Sequence, residues 1–305
     1  MSDTFEFTAS DGHKVFCYRW LPHANPRALV HIAHGMGEHA GRYDFLASRL
    51  VDAGYAVYAN DHRGHGRTAE VPGQFGEDGW NRAIADLYEL IASHQQAWPG
   101  KPLILLGHSM GAMLTQQYMA THGNTLDAVI LSGSPGFAGR LQGWVSRLLV
   151  RFECWRVGPL GSSPLLQRVL FGSANKAFEQ DLPEPTGFEW LSRDNDQVRA
   201  YIDDPLCGFV PCPGSLSDIF AGASWTQTRE AVSAIPPVLP VYVFSGTDDP
   251  VHNRRKNMDR MLLSFGQQGI TPETRFYAGG RHEMLNETNR EEVVADVINW
   301  LNQRY

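Results

Sequence analysis

Short apolar runs alternate with longer amphipathic stretches along most of this chain. Residues 5–8 and 15–20 read as two short strands joined through Asp11-Gly12, a dipeptide suited to a hairpin turn. Apolar runs at 28–33, 55–59, 103–106, 128–131, 241–245 and 274–277 read as further strands. Helical patterns lie between them. Phe45, Leu46, Leu50 and Val51 recur at helical spacing within 43–53, and Gly54 follows as a stop. Ile84, Leu87, Leu90 and Ile91 share one face of 80–98, and 112–119 and about 253–265 add two more helices. A final helix is expected to open on a capping box from Thr288 to Glu291 and to bury Val293, Val294, Val297, Ile298 and Leu301. Strands alternating with helices predict an α/β fold with a mostly parallel sheet covered on both faces.

From 135 to 237 the rhythm changes. Core-like strands vanish, and short helical patterns sit between Gly and Pro breaks. This third of the chain holds four of eight tryptophans and seven of fifteen phenylalanines but only one tyrosine, Tyr201. The enrichment is in purely apolar bulk. The segment reads as an inserted helical cap (lid) subdomain, 135–237, on a core made of 1–134 and 238–305. Within it Leu141, Trp144, Val145, Leu148, Leu149 and Phe152 form one helical stripe, with Arg147 and Arg151 off it. Such a basic amphipathic helix packs on the rest of the cap, lines an acyl tunnel or touches a lipid surface.

Composition narrows the class. A length of 305 residues suits one core domain carrying an insertion. A hydrophobic content of 43% and a charged content of 19% describe an ordinary globular chain. The net charge of −7 argues against nucleic acid as the main partner. No apolar run is long enough to span a bilayer, and the first residues lack a basic region followed by an apolar one. A cytoplasmic location is therefore expected. The four cysteines, Cys17, Cys154, Cys207 and Cys212, are scattered and are expected to be free thiols.

The chemistry centres on Leu103 to Gly111. An apolar strand runs into Gly107-His108-Ser109-Met110-Gly111 and then into a helical pattern. This is G-x-S-x-G in a strand–turn–helix setting, which exposes a serine hydroxyl on a tight turn. The glycines leave room where side chains would collide. The following helix N-terminus turns N–H groups toward developing negative charge. A serine needs a base to take its proton and an acid to orient that base. In this setting the expected chain order is Ser, then Asp or Glu, then His. One acidic loop at a strand end offers Asp248 and Asp249, and His282 follows the last strand on a Gly-Gly loop. The G-x-x-D-P-V pattern favours Asp249 and leaves Asp248 as a turn residue. Two backbone donors are expected to hold the oxyanion: the Met110 N–H and the Met36 N–H of His34-Gly35-Met36-Gly37. His31, His34, His39, His62 and His65 fall near strand ends, and no metalloprotease-type H-E-x-x-H occurs, so no metal is expected. His252 is expected at the surface or at a helix start.

With these residues in view, the chain resembles the α/β-hydrolase superfamily, and within it the monoglyceride lipase/lysophospholipase-like group. The matching segments are HGMGEHAGRYDFLA, DHRGHGRT, GHSMG, SGTDDPV and GGRHEMLNE, with SRDNDQVRAYIDDPL inside the cap. The resemblance implies an α/β-hydrolase fold. It also implies cofactor-free cleavage of a long-chain carboxylic ester of a glycerol-type alcohol, under a cap that shapes an acyl pocket. The stretches 159–164 and 207–213 depart from that pattern. A serine esterase acting on monoacylglycerols or similar small-molecule acyl esters is the leading expectation. A lysophospholipase would want a basic cluster near the pocket, which Arg140, Arg147 and Arg151 could supply. A short-chain carboxylesterase and a non-catalytic acyl-binding protein are the remaining alternatives. A peptidase would need an acidic site for the substrate amine, and no clear one is visible.

Overall fold

A computed structural model describes residues 2–180 and 183–305. Eight strands form one sheet: β1 (Asp3–Thr8), β2 (Lys14–Trp20), β3 (Leu29–Ala33), β4 (Ala56–Asn60), β5 (Leu103–His108), β6 (Ala128–Ser132), β7 (Val241–Gly246) and β8 (Glu273–Tyr277). Their spatial order is β1-β2-β4-β3-β5-β6-β7-β8. The β1–β2 and β2–β4 pairs are antiparallel, and every other pair is parallel.

The parallel strands are apolar runs because both of their faces are covered. Side chains alternate between two cores. Leu103, Leu105, Val129, Leu131, Val241 and Val243 enter one. Ile104, Leu106, Ala128, Ile130, Tyr242 and Phe244 enter the other. The first face is packed by helices α2 (Gly79–Ala97) and α3 (Met110–His122), the second by α1 (Asp44–Asp52).

Between β6 and β7 run α4 (Arg140–Val157), α5 (Pro164–Gln167), a π-helical turn (Arg168–Gly172), α6 (Ser173–Asn175), α7 (Asn195–Asp203), α8 (Pro213–Thr226) and α9 (Arg229–Ala234). This segment contains no strand among the described residues. Helix α8 packs on α2, α3 and α4. The close approach depends on Gly222, where a Cβ would collide with the Trp80 indole of α2. That indole donates to Gln117 Oε1 at 2.7 Å.

Helix α4 packs on α8, as the first of its three readings has it, but most of its amphipathic stripe faces outward and Leu149 alone is half-buried. Leu141, Trp144 and Trp155 are 73%, 55% and 80% exposed. The inward face carries Val150 and Glu153, flanked by the smaller Gly143 and Ser146 at helical spacing. Small residues admit the neighbouring helix more closely than tryptophan could. No helix among the described residues is long and apolar enough to cross a membrane.

After β7, helix α10 spans Lys256–Gln267, and after β8 the chain ends in α11 (Arg290–Asn302). Two local expectations need correcting here. Helix α10 starts later than 253 because Asn253, Arg254 and Arg255 have φ of 51°, 49° and 69°, a left-handed turn. Helix α11 has no capping box: Asn289 precedes it without a side-chain cap, and the Thr288 hydroxyl donates to Glu287 instead. Its buried face includes Trp300, while Ile298 is half-buried.

Candidate active site

Ser109 sits between β5 and α3 with φ 53° and ψ −114°, a conformation that costs a non-glycine residue about 1–3 kcal/mol. The turn is possible because both flanking glycines touch backbone. A Cβ at Gly111 would enter the Ala33 carbonyl of β3, and one at Gly107 would enter Thr115 and the Gly111 carbonyl. The Ser109 N–H donates to Ser132 O at 3.0 Å, which ties the turn to β6.

The Ser109 hydroxyl lies 2.9 Å from His282 Nε2. His282 Nδ1 lies 3.0 Å from Asp249 Oδ2. Asp249 Oδ2 also accepts from the Ser245 hydroxyl at 2.9 Å, and Oδ1 from the Val251 N–H at 2.9 Å. A carboxylate held by these donors orients the imidazole so that Nε2 faces the serine. Burial by itself raises the Asp249 carboxyl and lowers the His282 imidazole. The attraction and hydrogen bond between the two, joined by the Val251 N–H at Asp249 and by Glu283 and Glu38 at His282, together outweigh burial, so Asp249 is held below and His282 above its ordinary value. Asp248, by contrast, is exposed. Its carboxylate accepts from Thr247 at 3.1 Å, and among the described residues no hydrogen bond joins it to His282.

Of the two positions expected for His252 the surface is not met: it is fully buried, in the turn that leads into α10. Its Nδ1 accepts from the Arg255 N–H at 3.0 Å, so Nε2 donates to Gly246 O at 3.1 Å. It braces the loop that carries Asp249.

Opposite the serine, the Met36 and Met110 N–H groups donate to no acceptor among the described residues. The Gly35 N–H is occupied, donating to Glu38 Oε1 at 2.6 Å. Glu38 Oε1 also accepts from the Tyr43 hydroxyl at 2.8 Å. Arg42 bridges Glu38 to Glu283, making two parallel bonds of 2.7 Å with the latter. This buried carboxylate–guanidinium–carboxylate chain links the Gly35 loop to the residue after His282. Glu38 and Arg42 lie in a stretch the sequence reading singled out. Their partner is 241 residues from Arg42, so no local signal joins them.

Segment 135–237 contributes as well. The His282 and Glu283 N–H groups donate to Trp190 O and Leu191 O at 3.3 and 2.8 Å. The Trp190 ring lies 5.0 Å from the His282 ring. The Tyr201 hydroxyl and the Gly208 N–H donate to Gly37 O at 2.8 and 2.9 Å. Together with Phe171 these residues leave a cavity of about 30 Å³ at Ser109.

The other histidines are structural in their contacts. His31 bonds Asn60 and His94. His34 Nε2 accepts from the His62 N–H at 2.9 Å, so its Nδ1 donates to Gly35 O at 2.7 Å. Burial pushes His31, His65 and His108 down to about 4 and His34 and His62 well below the ordinary range, which keeps their rings neutral. His39, Asp204 and Cys207 bring three potential ligand atoms within 4.8 Å of one another. There His39 Nδ1 accepts from the Gly41 N–H, and its Nε2 meets Asp204 at 2.9 Å.

A family profile described as serine aminopeptidase, S33 (Hydrolase_4) matches residues 24–289. The monoacylglycerol lipase of Mycolicibacterium smegmatis is 28% identical over 97% of this chain and 95% of its own length. The monoglyceride lipase of Homo sapiens is 27% identical over 97% of this chain and 89% of its own. Among solved structures, a thermostable carboxyl esterase from Bacillus coagulans, in complex with glycerol, superposes with a TM-score of 0.89. It is 28% identical, over 99% of this chain and 98% of that one. With the fold and these relatives in agreement, the chain belongs to the Hydrolase_4 family, serine aminopeptidase S33, and is an α/β-hydrolase of the serine carboxylic-ester hydrolase class.

Proposed function

We propose that Ser109 is the nucleophile, His282 the general base and Asp249 the acid that orients it. The observation that carries this reading is the continuous line from the Ser109 hydroxyl through His282 to Asp249, with contacts of 2.9 and 3.0 Å. As the hydroxyl oxygen attacks the ester carbonyl carbon, its proton passes to His282 Nε2. Negative charge on the carbonyl oxygen is received by the Met36 and Met110 N–H groups, which are free of other acceptors. His282 then gives its proton to the departing alcohol oxygen, leaving an acyl-serine. Water, deprotonated by the same imidazole, releases the acid and restores Ser109.

The substrate we propose is a monoacylglycerol or a similar medium- or long-chain acyl ester. The names of the relatives and the glycerol bound by the Bacillus esterase support this choice. Residues 135–237 act as the cap: Trp190, Tyr201 and Phe171 close over Ser109 and exclude water from the acyl-enzyme. The outward stripe of α4, with Trp144 and Leu148 exposed beside Arg147 and Arg151, is proposed to touch the lipid surface from which substrate is drawn.

The test is a rate series on p-nitrophenyl esters from acetyl to palmitoyl, with Ser109→Ala alongside. A maximum at octanoyl or longer, absent in the variant, is expected. A maximum at acetyl or butyryl would make the protein a short-chain carboxylesterase. Turnover that persists in Ser109→Ala would overturn the serine assignment.

A further inference from the structure

A larger cavity lies between α4, α8, α10 and the first turns of α3. It encloses about 920 Å³, within the range of small-molecule sites. Met113 of α3, four residues after Ser109, is one of its lining residues, while Ser109 itself lines the smaller cavity.

The chemistry of its wall is uneven. Phe137, Leu141, Trp144 and Phe220 supply an apolar surface long enough for an alkyl chain. Arg140, Arg147 and Arg260 supply three guanidinium groups, and among the described residues no aspartate or glutamate lines the cavity. Among the described residues, none of the three arginines lies within 4.0 Å of a carboxylate oxygen. Arg147 donates to the Ser224 hydroxyl at 3.2 Å and Arg260 to Asn257 Oδ1 at 2.8 Å, both neutral partners. This occurs in a chain of net charge −7, so it does not follow from overall composition. The cavity at Ser109 has the opposite character. Its wall carries Glu38 and Glu283, two carboxylates against the single guanidinium of Arg42.

We infer that this cavity binds a single-chain amphiphile with an anionic head. The carboxylate or phosphate sits among Arg140, Arg147 and Arg260, and the alkyl chain points along the apolar wall toward Met113. In that orientation the alkyl end approaches the first turn of α3, the helix that follows Ser109, and the bound ligand competes with an acyl ester that reaches across that turn. The fatty acid released by the reaction belongs to this class, as does a lysophosphatidate, and both share the head-group charge that the arginines select. The inference rests on the acyl-ester reading only for the competition. The binding itself requires no turnover.

The experiment uses the full-length Ser109→Ala protein, titrated calorimetrically at low salt with laurate, lauroyl lysophosphatidate and 1-lauroylglycerol, each below its micelle concentration. The two anionic ligands are expected to bind about tenfold or more tightly than the neutral one, with affinity falling as salt rises. Arg147→Gln/Arg260→Gln should lose that preference and leave 1-lauroylglycerol unchanged. Response to laurate alone identifies the head as a carboxylate, and response to the lysophosphatidate alone identifies it as a phosphate. In the protein with Ser109 present, the tighter anion should raise KM for p-nitrophenyl octanoate without lowering kcat, and the double variant should abolish that inhibition. Equal binding of all three ligands, or an equal loss of all three in the double variant, would overturn the inference. Turnover surviving in Ser109→Ala would instead sink the serine assignment and leave the binding result standing.

Discussion

The loops that carry Ser109, Asp249 and His282 and the helix α4 are neighbours across Met113 and Val251, yet they treat their side chains in opposite ways. In the loops the side chains that hold the Ser109–His282–Asp249 line are buried and bonded. Asp249, His282, Glu38 and His252 are at most 3% exposed, and every one has a partner on another turn or strand. Along α4 most of the apolar side chains are exposed, and among the described residues the arginines of its first turns lack carboxylate partners. A buried, fully bonded polar group has one geometry, which is what proton transfer needs. An exposed apolar face beside free guanidinium groups is arranged for something arriving from solvent. The same end of the molecule thus joins a fixed reaction centre to a receptive surface.

This contrast can be broken most directly at the serine. Ser109→Ala should lower ester hydrolysis by about four to six orders of magnitude, with an unchanged thermal unfolding curve. Retained activity would mean that the buried hydrogen-bonded line is only structural.

Next comes the choice of acid. Asp249→Asn should cost about 10⁴-fold in kcat, whereas exposed Asp248→Asn should stay within about threefold. The pH profile separates the cases further. The base works when neutral, and its pKa is held above the ordinary imidazole value by the Asp249 carboxylate. The wild-type rate should therefore fall in acid with an inflection above about 6.5. Removing the Asp249 charge leaves burial to dominate and should move the inflection to lower pH. An unmoved inflection in Asp249→Asn would reject the pairing.

The stability of the two regions should differ in the same sense. Glu38→Ala strands Arg42 and the Gly35 and Tyr43 donors, and should destabilise the fold by about 3 kcal/mol in chemical unfolding. Trp155→Ala, at a side chain 80% exposed, should stay within about 0.5 kcal/mol. Similar costs at both sites would erase the distinction. The smallest expected effect is at the receptive face. Trp144→Ala should reduce cosedimentation with phospholipid vesicles by about threefold and leave hydrolysis of a soluble butyryl ester unchanged.

The strands and most helices were legible because their signals are local: period-2 or continuous apolar runs for strands, and helical spacing for α1, α2 and α3. The misplaced ends came from local backbone and side-chain geometry that periodicity does not register. Three consecutive left-handed residues delay α10, and Glu287 takes the Thr288 hydroxyl that would have capped α11. The site residues separate in the same way. Ser109 announces itself by the glycines around it. His252 and Glu283 carry no such signal, because their importance lies in contacts with distant loops.

By itself, then, the sequence determined the strand–turn–helix at Ser109, the order of strands and helices, and the break in rhythm at 135–237. Each depends on residues near one another along the chain, and backbone sterics and periodicity act at that range. Only the tertiary structure decided that Asp249 faces His282 while Asp248 faces solvent. It also joined Arg42 to Glu283 and turned the α4 stripe outward. These outcomes hang on contacts spanning 33 to 241 residues, and on which small side chains let helices approach. A periodic pattern gives a helix a face, but the neighbour that packs against it decides which face is buried.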